Sequence, residues 1–188
     1  MCPRPGILKL NLDGASRGNL GPAGYGGVIH NDKGDIVHIF SMYLGEAKNN
    51  EAKFSALEHG LRILIRMGNG TAVVEGDSLL AISAAKKIQN GTKAEKVSKH
   101  WHLAMVTGLI AQHLNSLTGV VLHAIRRKAN TLVDALANHA VDHLNDAIDI
   151  CWNEVTFPNL RDEFLCISRS DLSGVPVMEN NLQSTDIL

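Results

Sequence analysis

From Ile7 to Asp13 apolar and polar positions alternate. Leu8, Leu10 and Leu12 fall on one face and Lys9, Asn11 and Asp13 on the other, the two-residue period of a β-strand, which stops at Asp13-Gly14. Two further strand-like runs, Tyr25 to His30 and Ile36 to Leu44, flank Asn31-Asp32-Lys33-Gly34, a turn sequence suited to a hairpin. The chain is therefore expected to open as an antiparallel meander of three strands. The period then becomes helical: Asn49 or Asn50 can cap a helix reaching about Met67, with Phe54, Leu57, Leu61 and Leu64 as its apolar stripe and Gly68 as its stop. A short strand, Thr71 to Glu75, ends at Gly76-Asp77-Ser78, and Ser78 caps a helix to about Ile88. Beyond Gly91-Thr92 a second helix covers Lys96 to Leu117, with Trp101, Met105, Leu109 and Leu114 on its buried side. Val120 to Ile125 reads as a strand, and Thr131 to Leu144 as a helix whose apolar stripe is opposed by Asn130, Asp134 and Asn138. The order βββαβααβα predicts an α/β fold, a mixed five-stranded sheet of three antiparallel strands and then two further strands, flanked by helices. After Leu144 the periodicity fades.

Composition narrows this picture. A chain of 188 residues suits one domain with an appendage. Its uncharged apolar runs fall far short of the roughly 20 residues of a membrane-spanning helix, and Met1 to Leu12 lacks the apolar centre of a secretory signal. An intracellular protein without membrane contact, acting as a monomer, is expected. Cys2, Cys151 and Cys166 show no CxxC spacing, so they are expected as free thiols. No zinc site is expected either, since the histidines lack ligand spacing: His100 and His102 would diverge on a helix. Charge is unevenly spread. Residues 1–141 hold sixteen Lys or Arg against ten Asp or Glu, whereas residues 142–188 hold two against nine. A basic body attracts a polyanion, and an acidic end repels or shields. The expected divisions are an extension at 1–6, the α/β domain at 7–145 and an acidic tail at 146–188.

Three aspartates carry the candidate chemistry. Asp13 and Asp77 each follow an apolar strand at a glycine-containing stop, and Asp134 lies on the polar stripe of the last helix. Such acids can converge at one end of a sheet, where hard oxygen ligands suit Mg²⁺ or Mn²⁺ and the ion can activate water for phosphoryl chemistry.

The words around them run Leu10-Asn11-Leu12-Asp13-Gly14-Ala15, Gly24-Tyr25-Gly26-Gly27-Val28, Asn49-Asn50-Glu51-Ala52, Glu75-Gly76-Asp77-Ser78 and Asn130-Thr131-Leu132-Val133-Asp134-Ala135-Leu136-Ala137. In this order they resemble type 1 ribonuclease H, most closely its plant retroelement-derived form, and Asp171-Leu172-Ser173-Gly174 looks like the ending of that form. The resemblance implies hydrolysis of the RNA strand of an RNA/DNA hybrid by two metal ions, Mg²⁺ or Mn²⁺, held by four carboxylates. Asp13 would bridge both ions, Asp134 would help hold the one that activates water, and Asp77 the one at the leaving group. Gly14, Ala15, Asn49, Asn50, Arg127 and Asn130 would meet the nucleic acid. Lys86, Lys87, Lys93, Lys96 and Lys99 beside Trp101 stand where some members carry a hybrid-binding handle.

One position departs from the pattern. The family's catalytic Glu falls at Lys53. Glu51 is no simple substitute, because two residues along an α-helix is a rotation of about 200°; its place is the positive end of the helix. An ammonium in a ligand position opposes the second ion and removes an oxygen, but it can donate to a phosphate. Two readings stay open: an active hybrid nuclease, and a hybrid- or double-stranded-RNA-binding module without catalysis. A protein-interaction domain using the acidic tail is a third.

Overall fold

The computed structural model describes residues 6–97, 101–144 and 147–151, residues 101 and 102 by backbone alone. The meander is β1 (Leu8–Ser16), β2 (Gly21–His30) and β3 (Ile36–Ala47), antiparallel from Lys9↔His30 to Ser16↔Ala23 and from Gly21↔Ala47 to His30↔Ile36. The β2–β3 turn follows the chemistry of its residues. Asn31 Oδ1 accepts from the backbone N–H of Lys33 and of Asp35, both at 2.9 Å, and Gly34 takes the left-handed position at φ 89°. There follow α1 (Asn49–Arg66), β4 (Thr71–Gly76), α2 (Leu79–Gln89), the short α3 (Ala94–Val97), α4 (Trp101–Ser116), β5 (Gly119–Ala124), a 3₁₀ turn at Arg127–Ala129, α5 (Thr131–Asp142) and β6 (Ile148–Cys151).

The strands form one mixed sheet in the order β5-β4-β1-β2-β3-β6, with β1, β4 and β5 parallel. The α/β class is as expected, but among the described residues the sheet has six strands, not five. Three layers result. Leu57, Leu61 and Leu64 of α1 pack with Leu10, Leu12 and Phe40 on one face of the sheet, together with residues of α2 and α4. On the other face Leu132, Val133 and Leu136 of α5 cover Val28 and Ile39. Among the described residues no helix is long and apolar enough to cross a membrane.

Two expectations change. The buried side of α4 is Leu103, Thr107, Ile110 and Leu114, whereas Leu109 is exposed and Met105 is 78% exposed. The helix is apolar nearly all round, so periodicity alone does not select its buried stripe; contact with α1 does. The sixth strand lies where the periodicity fades. β6 is too short for alternation to register, yet Ile148 and Ile150 join the α5 side while Asp149 turns to the α1 side. There Asp149 accepts from His38 Nε2 (2.8 Å), His59 Nε2 (3.2 Å) and Arg66 (3.0 and 3.1 Å). One carboxylate thus ties β6 to β3 and α1. Lys99, Trp101 as a side chain, Cys166 and the Asp171–Gly174 word lie outside the described residues.

Candidate functional site

Asp13 and Asp77 meet because β1 and β4 run parallel. The β1–β4 pairing ends at Leu12↔Gly76, and the next residue on each strand is an aspartate; β4 stops there, whereas β1, expected to stop at Asp13-Gly14, runs on against β2 to Ser16. Asp13 is only 2% exposed, and its Oδ1 accepts from the Gly14 N–H at 2.7 Å. Gly14 sets the depth of α1. A Cβ added there would lie 2.4 Å from the Ala52 carbonyl carbon and 2.5 Å from the Lys53 nitrogen, so only glycine lets the helix backbone come this close.

That approach delivers Lys53. Its Nζ donates to Asp13 Oδ1 at 2.7 Å and to Asp77 Oδ1 at 2.5 Å, with a side chain 13% exposed. Burial pushes Asp13 up to about 6, opposed by the hydrogen bond and charge of Lys53 and reinforced by the charge of Asp77. Burial also works against the Lys53 ammonium, but the hydrogen bonds from Asp13 and Asp77 outweigh it and hold its pKa above the ordinary lysine value. The ammonium is thus a fixed positive charge shared by two carboxylates.

Asp134 arrives on the opposite side of the sheet. A Cβ on Gly26, the partner of Asp13 across β1 and β2, would lie 2.6 Å from Leu136 Cβ, so α5 rests directly on the strand. The buried Asn130, 3% exposed, donates through Nδ2 to the Leu12 carbonyl at 3.0 Å, tying the start of α5 to the residue before Asp13. One turn on, Asp134 Oδ1 accepts from Arg127 at 2.8 Å and Oδ2 from Asn138 at 3.2 Å. Asp134, by hydrogen bond and then by charge, favours the Arg127 cation, and the charges of Asp13 and Asp77 add to it.

A cleft of about 460 Å³ opens beside these groups, lined by Asp13, Gly14, Ala15, Ser16, Asn19, Asn49, Asn50, Lys53, Arg127, Asp134 and Asn138. Most of the residues expected from the sequence therefore share one cleft. Asp77 reaches it through Lys53. Asn130 does not line it: it is buried against β1, where its amide ties α5 to Leu12. Gly14 serves the α1 contact. Asn49 does not cap α1 with its side chain either. The helix begins at Asn49, whose N–H donates to Asn19 Oδ1 at 3.2 Å, and the Lys48 N–H donates to Glu51 Oε2 at 2.8 Å, which is the helix-terminal place expected of Glu51. Ser16, Asn19 and Asn138 are lining residues that the sequence reading missed. Asn138 stands four residues after Asp134, on the same helical stripe. Asn19 (φ 58°) follows Gly18 (φ 88°) in the β1–β2 turn, so a Gly-Asn pair in a tight turn was its available signal.

The Reverse transcriptase-like family matches residues 11–140. A bifunctional protein of Mycobacterium tuberculosis is 32% identical over 141 residues, covering 72% of this chain and 35% of the relative. Ribonuclease HI of Halobacterium salinarum is 32% identical over 143 residues, covering 74% of this chain and 66% of the relative. The chain thus spans about a third of the mycobacterial protein's length. Among solved structures, a ribonuclease H1 isolated from compost and crystallised with an RNA/DNA hybrid superposes with a TM-score of 0.63 at 31% identity, covering 74% of this chain and 99% of that one.

Proposed function

Because the chain belongs to the Reverse transcriptase-like family and has the ribonuclease H fold, we propose that it is an RNase H-type domain that binds RNA/DNA hybrids but hydrolyses the RNA strand weakly or not at all. The observation that carries the second half is the Lys53 bridge: its Nζ lies 2.7 Å from Asp13 and 2.5 Å from Asp77. The hybrid-bound relative supports the first half. The five sequence words favour the plant retroelement-derived form of the domain.

The two divalent ions that the family implies do not fit these side chains as they stand. Among the described residues no group of three or more His, Cys, Asp or Glu is disposed to hold an ion. Three carboxylates are present where four are needed, and each already has a cationic or amide partner. A divalent cation at the Asp13–Asp77 position would sit against the ammonium, and at about 4 Å that repulsion is about 8 kcal/mol even at an effective dielectric of 20, twice the value for two unit charges. We therefore assign Asp13, Asp77 and Asp134 to the site as the partners of Lys53 and Arg127.

The test is cleavage of a labelled RNA/DNA hybrid in Mg²⁺ and then Mn²⁺ by the unmodified chain, Lys53→Glu and Asp13→Asn. The expected result is little or no cleavage by the unmodified chain and a rise of at least about a hundredfold in Lys53→Glu, the scale on which one electrostatic group acts in catalysis. Robust cleavage by the unmodified chain, lost in Asp13→Asn, would overturn the disabled reading in favour of an active hydrolase that works with three carboxylates. Duplex RNA run alongside separates hybrid preference from general A-form binding.

A further inference from the structure

We propose that Lys53 and Arg127 replace divalent ions as the phosphate-binding cations of this cleft, so that the chain grips the backbone of a hybrid without any metal. The proposal rests on the RNase H-type reading and deepens it by naming what holds the phosphodiester.

Charge is the first argument. A site of four carboxylates presents four negative charges to a polyanion and accepts it only with cations interposed. Here Asp13, Asp77 and Asp134 are set against the Lys53 ammonium and the Arg127 guanidinium, which leaves one net negative charge. The reason a nucleic-acid backbone would require a metal bridge is largely gone.

Donor capacity is the second. An ammonium has three N–H donors and a guanidinium five. The described bonds of Lys53 use two, to Asp13 and Asp77, and the described bond of Arg127 uses one, to Asp134. Both residues line the same cleft. Arg127 is 75% exposed at its side chain, so its remaining donors can meet a phosphate in the two-point geometry that guanidinium favours. Lys53 is recessed and held in place by its two carboxylates.

Place is the third. Asn49 and Asn50, the first residues of the long helix α1, line the cleft beside Lys53, so the positive end of that helix adds to the field of the two cations. Of the remaining lining side chains, Asn19 accepts through Oδ1 from the Asn49 N–H, which leaves its amide N–H group to the cleft, whereas Ser16 donates to the Ala47 carbonyl and Asn138 to Asp134. The cleft thus offers an anion two cationic groups, each paired with carboxylate but with donors to spare, together with asparagine amides and a helix terminus.

The experiment is fluorescence anisotropy of a short labelled RNA/DNA hybrid, titrated with the full chain in excess EDTA and in millimolar Mg²⁺, for the unmodified protein, Lys53→Met, Lys53→Arg, Lys53→Glu and Arg127→Gln, each checked for folding by circular dichroism. The expected result is an affinity in EDTA within about twofold of that in Mg²⁺, weakened about tenfold by Lys53→Met and by Arg127→Gln, largely kept by Lys53→Arg, and dependent on Mg²⁺ in Lys53→Glu. Arg127→Gln alters an exposed residue, so it decides the matter even if Lys53→Met fails to fold. Binding by the unmodified chain only in Mg²⁺, or full affinity in Arg127→Gln, overturns the proposal while leaving the hybrid-binding reading intact. Absence of binding in both buffers overturns that reading as well.

Discussion

Lys53 converts two neighbouring carboxylates, Asp13 buried and Asp77 partly buried, from a liability into a bonded unit. Truncating it to alanine leaves Asp13 and Asp77 side by side without a counter-ion, and removing one partner of a buried ion pair costs about 3 kcal/mol. Urea denaturation of Lys53→Ala should show that loss, and millimolar Mn²⁺ should recover part of it, whereas the unmodified chain should melt at the same temperature in EDTA and in Mn²⁺. A second residue gives a separate pH signature. Burial, and then the charge of Lys9, lowers His30 to about 4 against the opposing charge of Glu75, and its Nδ1 has no hydrogen-bond partner among the described residues. A histidine lowered in the fold resists protonation there, so its contribution is complete above about pH 6.5 and is lost as pH falls toward 4. A shift of this size corresponds to up to about 3 kcal/mol. Stability measured by urea titration between pH 7 and 4 should therefore fall, and His30→Gln should flatten the slope; an unchanged slope assigns the acid sensitivity elsewhere. Asp13, Asp77 and Asp134 were legible in the sequence because two follow apolar strand runs beside a glycine and the third lies on the polar stripe opposite the apolar face of a helix. The part of Asn130 was not, because only the approach of α5 to β1 decides whether its amide faces the Leu12 carbonyl or solvent.

Two elements, α1 and β6, each depend on one small or polar residue. Gly14→Ala would drive a methyl group into the backbone of α1, with both nearest atoms within 2.5 Å of the added carbon. Something must shift, and overpacking of this kind costs about 1–3 kcal/mol. Thermal melting should show the loss, and a concurrent fall in hybrid affinity would show that α1 carries Lys53 away with it. β6 depends on Asp149. Replacing it by alanine leaves His38 and His59 buried without their acceptor and removes the Arg66 bonds, for about 2–4 kcal/mol. Hydrogen exchange should then rise along β3, the strand that β6 covers, with β1 and β4 unaffected. Protection unchanged along β3 would show that Ile148 and Ile150 alone hold the strand. The meander, α1, β4 and α5 could be read from the sequence because each alternates or repeats with one face apolar. The phase of α4 could not, since several of its faces are apolar, nor could β6, where a single acidic residue between two isoleucines gives no period to read.

At the scale of the whole molecule, the basic residues 1–141 and the acidic remainder balance to a net charge of −1. Phosphate binding by the basic body, residues 1–141, should therefore be steeply salt-dependent despite the near-neutral total. If about four phosphates are neutralised, the logarithm of affinity should fall with the logarithm of salt concentration at a slope of about −3 to −4, and Arg127→Gln should reduce that slope by about one. A flat salt response would mean that contacts other than phosphate dominate. The family match ends at residue 140, within α5, so the strand held by Asp149 lies outside the matched residues. The central claim, that a lysine ammonium stands where the family implies a divalent ion, is tested most directly by a crystal of the hybrid complex grown in Mn²⁺ and measured at the manganese absorption edge. The account predicts Lys53 Nζ between Asp13 and Asp77 with no anomalous peak there; a manganese peak at that position, with Lys53 turned away, would contradict it.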